Sequence, residues 1–359
     1  MKLPTFLLSK GVIYAIILAI FYQIAMVGLY IYGYHVLPNG VNQLAVNVVN
    51  QDGDKGAAIE RELTSTLSAS FRKVVTGKGL DESKEALDHR ETQMVMVIPE
   101  HFVNDLTAGT AALDFYMDES NTTTVTNTME AVAKSITDHF NQAINPGITE
   151  PSKHSVVQNN VYINKTPGSM DYVMAPSFLS IATYASSMVV AIVLMNIFLA
   201  FIPIIGKWKA FRYIELTGCV IAVLAPLFGV MMARILLSIT IQKLVILYVQ
   251  HAFMQLTAFQ FTLLFSVLLG QNGIFINIPL MLAQTIAGGG TMPLQIMPDL
   301  FKVISYLTPM YPNTQIDFGI LFGGPMFSFE LRLLAILITS SLILFFIVWR
   351  KWPRLLRGI

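Results

Sequence analysis

The run YVMAPSFLSIATYASSMVVAIVLMNIFLAFIPII, residues 172–205, holds no Asp, Glu, Lys, Arg or His, and its reading decides the class of protein. At 1.5 Å per residue it more than crosses a hydrocarbon core of about 30 Å. Five further apolar stretches, 11–34, 217–241, 244–269, 274–287 and 331–349, bring the expected spans to six. The stretch 11–34 runs on into Tyr30, Tyr32 and Tyr34, an interfacial aromatic belt where a signal peptide would have a small-residue cleavage site.

Composition agrees. The chain is 54% hydrophobic and 13% charged, whereas a soluble chain carries about 25% charged residues. A net charge of +1 gives no basic field for nucleic acid, and nucleic-acid binding is set aside. The single cysteine, Cys219, lies in an apolar run and reads as filler, so neither a disulfide framework nor a thiolate metal site is expected. Basic residues then set the direction of the spans. Lys2 and Lys10 precede the first; Lys207, Lys209 and Arg212 follow the second; Arg350, Lys351, Arg354 and Arg357 follow the sixth. Even numbers of crossings bring these clusters to one face, so both termini are expected in the cytoplasm of a cell-membrane protein. Arg234 and Lys243 go against the rule and read as outer-leaflet snorkelling residues.

Residues 36–170 have the make-up of a water-soluble domain lying on the outer side. Segments 44–50, 94–98, 112–117 and 155–163 are short, rich in β-branched or aromatic residues, and read as strands. Ile59, Leu63, Leu67, Phe71 and Val74 repeat at helical spacing, as do Val125, Met129, Val132, Ile136, Phe140 and Ile144. A shorter helix is expected over 100–107, stopped by Gly109. The expected architecture is a polytopic α-helical membrane protein of six transmembrane helices, with a small mixed α/β extracytoplasmic domain of about four strands between helices 1 and 2. Its parts are 1–35, with the first helix; 36–170, the α/β domain; and 171–359, five helices with a basic tail.

No catalytic or metal-binding set emerges. His35, His89, His101, His139 and His154 include no i, i+4 pair and read as solvated. Hydrolase elbows, zinc-protease motifs and phosphate-binding loops are missing from the sequence. Two segments stand out instead. Residues 206–216, GKWKAFRYIEL, mix Lys207, Lys209, Arg212 and Glu215 with Trp208, and read as a short interfacial helix that serves either as a positive-inside anchor or as a docking surface. Residues 288–325 combine Gly288, Gly289, Gly290, Pro293, Pro298, Pro309 and Pro312 with an apolar body. Broken backbone at membrane depth needs shielding by protein, so the segment reads as a re-entrant hairpin, against an external loop with two interfacial helices. His251, Gln255, Gln260 and Gln284 are polar residues within spans, fit either to line a pathway or to bond helices together.

The motifs LGQNG at 269–273, GGGTMP at 288–293, QIMPDLF at 295–301, LTPMYP at 307–312 and FGG at 322–324 resemble the phage-infection-protein (Pip/YhgE)-like branch of type 2 ABC exporter permeases. IPEHFVNDLTAG at 98–109 and MDESN at 117–121 resemble the external-domain motif of such permeases. That branch usually carries a longer, coiled external domain. The resemblance implies a permease subunit, paired as a homodimer or heterodimer, exporting a lipophilic or amphipathic substrate. It places the coupling helix at Lys207–Glu215. ATP and Mg would sit on a separate nucleotide-binding ATPase subunit, with no cofactor in this chain. The alternative is a membrane scaffold or surface receptor, of the phage-entry or type VII secretion kind, without transport activity.

Overall fold

The computed structural model describes residues 41–119, 121–144, 155–164, 170–237 and 239–350. The expected first span and the tail beyond Arg350 lie outside them. So do Lys2, Lys10, His35 and His154.

The amino-terminal part is an α/β unit. Its strands are β1 (Ala45–Asn50), β2 (Lys73–Val75), β3 (Met94–Ile98), β4 (Ala112–Asp118) and β5 (Val157–Ile163), ordered β2-β1-β3-β4-β5. β1 runs parallel to both neighbours, β3 and β4 are antiparallel, and β4 and β5 are parallel. Four helices accompany them: α1 (Ala57–Ser70), α2 (Leu80–Asp88), α3 (Phe102–Ala108) and α4 (Thr123–Ile144). β1 and β3 are buried along almost their whole length because both faces are covered. On one face Val46, Val48, Met94, Met96, Leu113 and Phe115 meet Leu63 and Leu67 of α1, Phe102 of α3 and Met129 of α4. On the other, Val49, Val95 and Val97 meet Leu87 of α2. Two elements depart from the sequence expectation. The first helix stops at Ser70, and Val74, expected at its end, belongs to β2. α2 was not anticipated; only Ser83, Ala86 and Leu87 of its nine residues are buried, too few for a clear period.

Among the described residues the second part holds four helices long and apolar enough to cross a membrane: α5 (Met170–Ile205), α6 (Lys207–Leu237), α7 (Ile241–Leu269) and the last, Phe327–Arg350. Between α7 and that last helix lie α8 (Ile274–Ala287), α9 (Asp299–Leu307) and α10 (Met310–Phe322), so Phe327–Arg350 is α11. α8 has 14 residues, about 21 Å at 1.5 Å each, short of a full crossing. Arg234 donates to the Ile239 carbonyl (2.6 Å) and Lys243 to the Leu321 carbonyl, so both cations satisfy backbone carbonyls near helix ends. Every residue of α10 is buried.

The two parts share a core. Ile286, Met292, Ile296, Met297 and Phe301 belong to the same apolar cluster as the sheet face that holds Val46, Met94 and Phe115. Thr124, in the first turn of α4, donates to the Thr291 carbonyl at 2.7 Å.

Candidate functional site at the buried polar centre

Helical spacing gathers the polar centre. Ser180, Thr183 and Ser187 recur three or four residues apart, so α5 presents them on one stripe. Gln250, His251 and Gln255 face it from α7, and Asn313 and Asp317, four apart, face it from α10. All eight are buried. Ser180 Oγ donates to Asp317 Oδ2 (3.0 Å) and accepts from Asn313 Nδ2 (2.8 Å). Asn313 Nδ2 also reaches Asp317 Oδ2 (3.0 Å), and Gln250 Nε2 donates to Asn313 Oδ1 (2.8 Å). Thr183 Oγ1 and His251 Nδ1 are hydrogen-bonded at 2.8 Å, while His251 Nε2 lies 3.2 Å from Asp317 Oδ1. His251 is 1% exposed and Asp317 0%. Ionisable groups this deep in a membrane domain are costly unless paired.

α10 carries polar groups on opposite sides. Residues 315 and 317 lie about 200° apart around a helix of 3.6 residues per turn, so Gln315 faces away from the centre. There it accepts from Arg90 Nη1 of the α/β unit at 2.5 Å. Arg90 follows α2 in a left-handed conformation (φ 59°) and lies over the Phe318 ring at 5.3 Å. Burial pulls its pKa below the usual arginine value; Asp118, Tyr311 and Asp88 oppose the fall.

The Gly/Pro positions shape this junction. Gly289 has φ 73°, and a Cβ there would lie 2.7 Å from the Tyr311 ring and 2.9 Å from Gln315 Nε2. A Cβ on Gly290 would lie 1.6 Å from Ser177 Oγ. Gly288 is the C-cap of α8. Pro293 precedes a short turn of helix, Pro298 and Pro309 precede α9 and α10, and Pro312 sits in the first turn of α10, positions where a missing N–H costs nothing.

The other sequence candidates separate. Gln255 joins the centre through its carbonyl, which accepts from Ser187 Oγ (3.1 Å), and donates to Ser186 Oγ (3.3 Å). Gln260 turns away and bonds Glu215 of α6. Gln284 is fully buried on α8. Residues 207–215 are not a separate interfacial helix: they form the opening turns of α6, which leaves α5 at Gly206 (φ 81°). Lys207 Nζ donates to the Val348 carbonyl (2.9 Å) near the end of α11, and Trp208 packs on Phe345 with centroids 5.6 Å apart. Lys209 and Arg212 are exposed.

Sequence reasoning missed Asn313 and Asp317, because the segment around them was read for its glycines and prolines. The usable signal was an Asn and an Asp four residues apart in an otherwise apolar helix.

A family model described as ABC-2 family transporter protein matches residues 10–350. The chain belongs to the ABC-2 transporter family. This ABC-2 family protein is accordingly a multi-pass membrane protein, and its family implies a permease subunit paired with an ATP-binding subunit. Neither the curated proteins nor the solved structures yield a match to it.

Proposed function

We propose that this chain is the membrane-spanning subunit of an ABC-type exporter that moves a lipophilic or amphipathic substrate. Its six crossings are the stretch 11–34, the four long helices and the shorter α8, which crosses together with the segment that follows it; both termini lie in the cytoplasm and residues 36–170 outside. It works as a homodimer or heterodimer, powered by ATP and Mg on a separate nucleotide-binding subunit. The match over residues 10–350 carries this reading. Three features support its mechanics. Lys209 and Arg212 stand exposed at the turn between α5 and α6, available to a partner. Lys207 and Trp208 tie that turn to the end of α11, so a push there is felt by a second spanning helix. The glycine and proline motifs of 288–325 favour the Pip/YhgE-like branch and a re-entrant hairpin.

The test is affinity capture of the tagged full chain from mild detergent, with identification of what accompanies it. Recovery of an ATPase subunit from wild type, lost with Lys209→Ala/Arg212→Ala, supports the reading. Capture of secretion or surface proteins with no ATPase would favour the scaffold alternative.

A further inference from the structure

A cavity of about 120 Å³ lies between the α/β unit and residues 289–329, with Arg90, Asn121, Thr122, Tyr311, Gln315 and Phe329 among its walls. Some of these groups hold one another. Arg90 Nη1 donates to Gln315 Oε1 and its Nε stands 4.0 Å from Asp118 Oδ2, so the guanidinium is both paired and bonded. Gln315 Nε2 donates in turn to the Gly289 carbonyl at 3.5 Å. Other groups are left over. The Thr122 hydroxyl, in a residue 4% exposed, meets no hydrogen-bond partner among the described residues. Asn121 Oδ1 accepts from the Thr122 N–H at 2.8 Å, but Asn121 Nδ2 and Tyr311 Oη have no partner among the described residues, and both residues are buried. Buried polar side chains are bonded as a rule, so three with spare capacity on one cavity mark a place for a hydrogen-bonding ligand.

Charge, chemistry and size narrow that ligand. No Asp or Glu lines the cavity among the described residues, so a cation would face Arg90 unpaired. An anion would have to draw Arg90 away from Asp118 and Gln315. A wholly apolar molecule would leave Thr122, Tyr311 and Asn121 buried and unbonded, which is costly. The ligand is therefore neutral, with groups that both donate and accept, as hydroxyls do. Sites for drug-sized molecules begin at about 300 Å³, so this one takes about a single ring. Leu294, Phe318 and Phe329 add apolar walls, which suit a ring with C–H faces and a hydroxylated edge.

We propose that this cavity binds a neutral sugar residue, its hydroxyls bonded to Thr122, Tyr311 and Asn121 and its C–H face against the apolar walls. That the sugar is the head of the exported amphiphile rests on the permease reading; that it binds does not.

The test places purified full-length protein in phosphatidylcholine nanodiscs, free of sugar-based detergent, and titrates it with methyl glucoside, methyl galactoside, methyl N-acetylglucosaminide and inorganic phosphate, read by saturation-transfer NMR. At least one glycoside is expected to bind with a Kd of about 1 mM, which a ligand of this size reaches at ordinary efficiency. Thr122→Val and Tyr311→Phe each remove one hydroxyl and keep the shape, and each should weaken that glycoside about fivefold. Gln295→Trp fills the cavity from an exposed wall position; it should abolish binding at an unchanged unfolding temperature, and so guards against a misfolded interior variant. No signal from any glycoside means a cavity that holds water alone and overturns the proposal. Binding unmoved by all three variants means that the sugar sits elsewhere, and phosphate that displaces the glycoside at equal concentration means an anion site; either overturns it too. No ATPase is present, so failure here leaves the permease reading standing, and failure to capture an ATPase leaves this result standing.

Discussion

His251 Nε2 stands 3.2 Å from Asp317 Oδ1 in the interior of the membrane domain, and the two residues join α7 to α10. The same histidine holds Thr183 of α5 through its other nitrogen. Three helices thus converge on one imidazole.

Removing one side of such a pair strands the other. Asp317→Leu alone is expected to destabilise by about 3–5 kcal/mol, and the His251→Leu/Asp317→Leu double variant by less than the sum of the single changes. A thermal-unfolding double-mutant cycle in detergent measures the coupling. A coupling energy of zero would show that the contact does not bind α7 to α10.

Gly289→Leu places a side chain at a left-handed backbone position and against Tyr311. Transport or, failing an assay, folded yield should fall severely, while His139→Ala on the exposed side of α4 leaves both near wild type. Equal tolerance at the two sites would remove the case for a shaped Gly/Pro junction.

Arg90→Ala withdraws the bond to Gln315 and the stacking over Phe318. Amide exchange across 310–322 should quicken as α10 loses its outer hold, with little change across 45–50. Unchanged protection of α10 would mean that the shared apolar core suffices without the arginine.

Lys207→Ala should lower stability by about 1 kcal/mol, since the ammonium satisfies a carbonyl in the last turn of α11. Lys209→Ala/Arg212→Ala should leave the unfolding temperature unchanged and act only on partner capture. The reverse pattern would overturn the division between anchoring and docking residues.

Much of the architecture could be read from local pattern. Long apolar runs marked α5, α7 and α11, and alternation or β-branching marked β1, β3, β4 and β5, because both signals lie within one element. β2 escaped because three edge residues have no period of their own; their pairing with Ala45–Asn47 defines them. The site was legible only by halves. His251 and Gln255 were conspicuous as polar residues in an apolar run, whereas Asp317 becomes meaningful through Ser180 and His251, more than sixty positions away. Glu215 showed the opposite failure: read as part of a coupling surface, it turns inward to Gln260.

The core that runs from Val46 and Phe115 to Met292 and Phe301 also governs dissection. A fragment spanning 41–164 would keep every described strand yet bare the surface that residues 283–301 cover, and would clump through it. An antibody or ligand screen aimed at the α/β unit therefore needs the whole chain as its target.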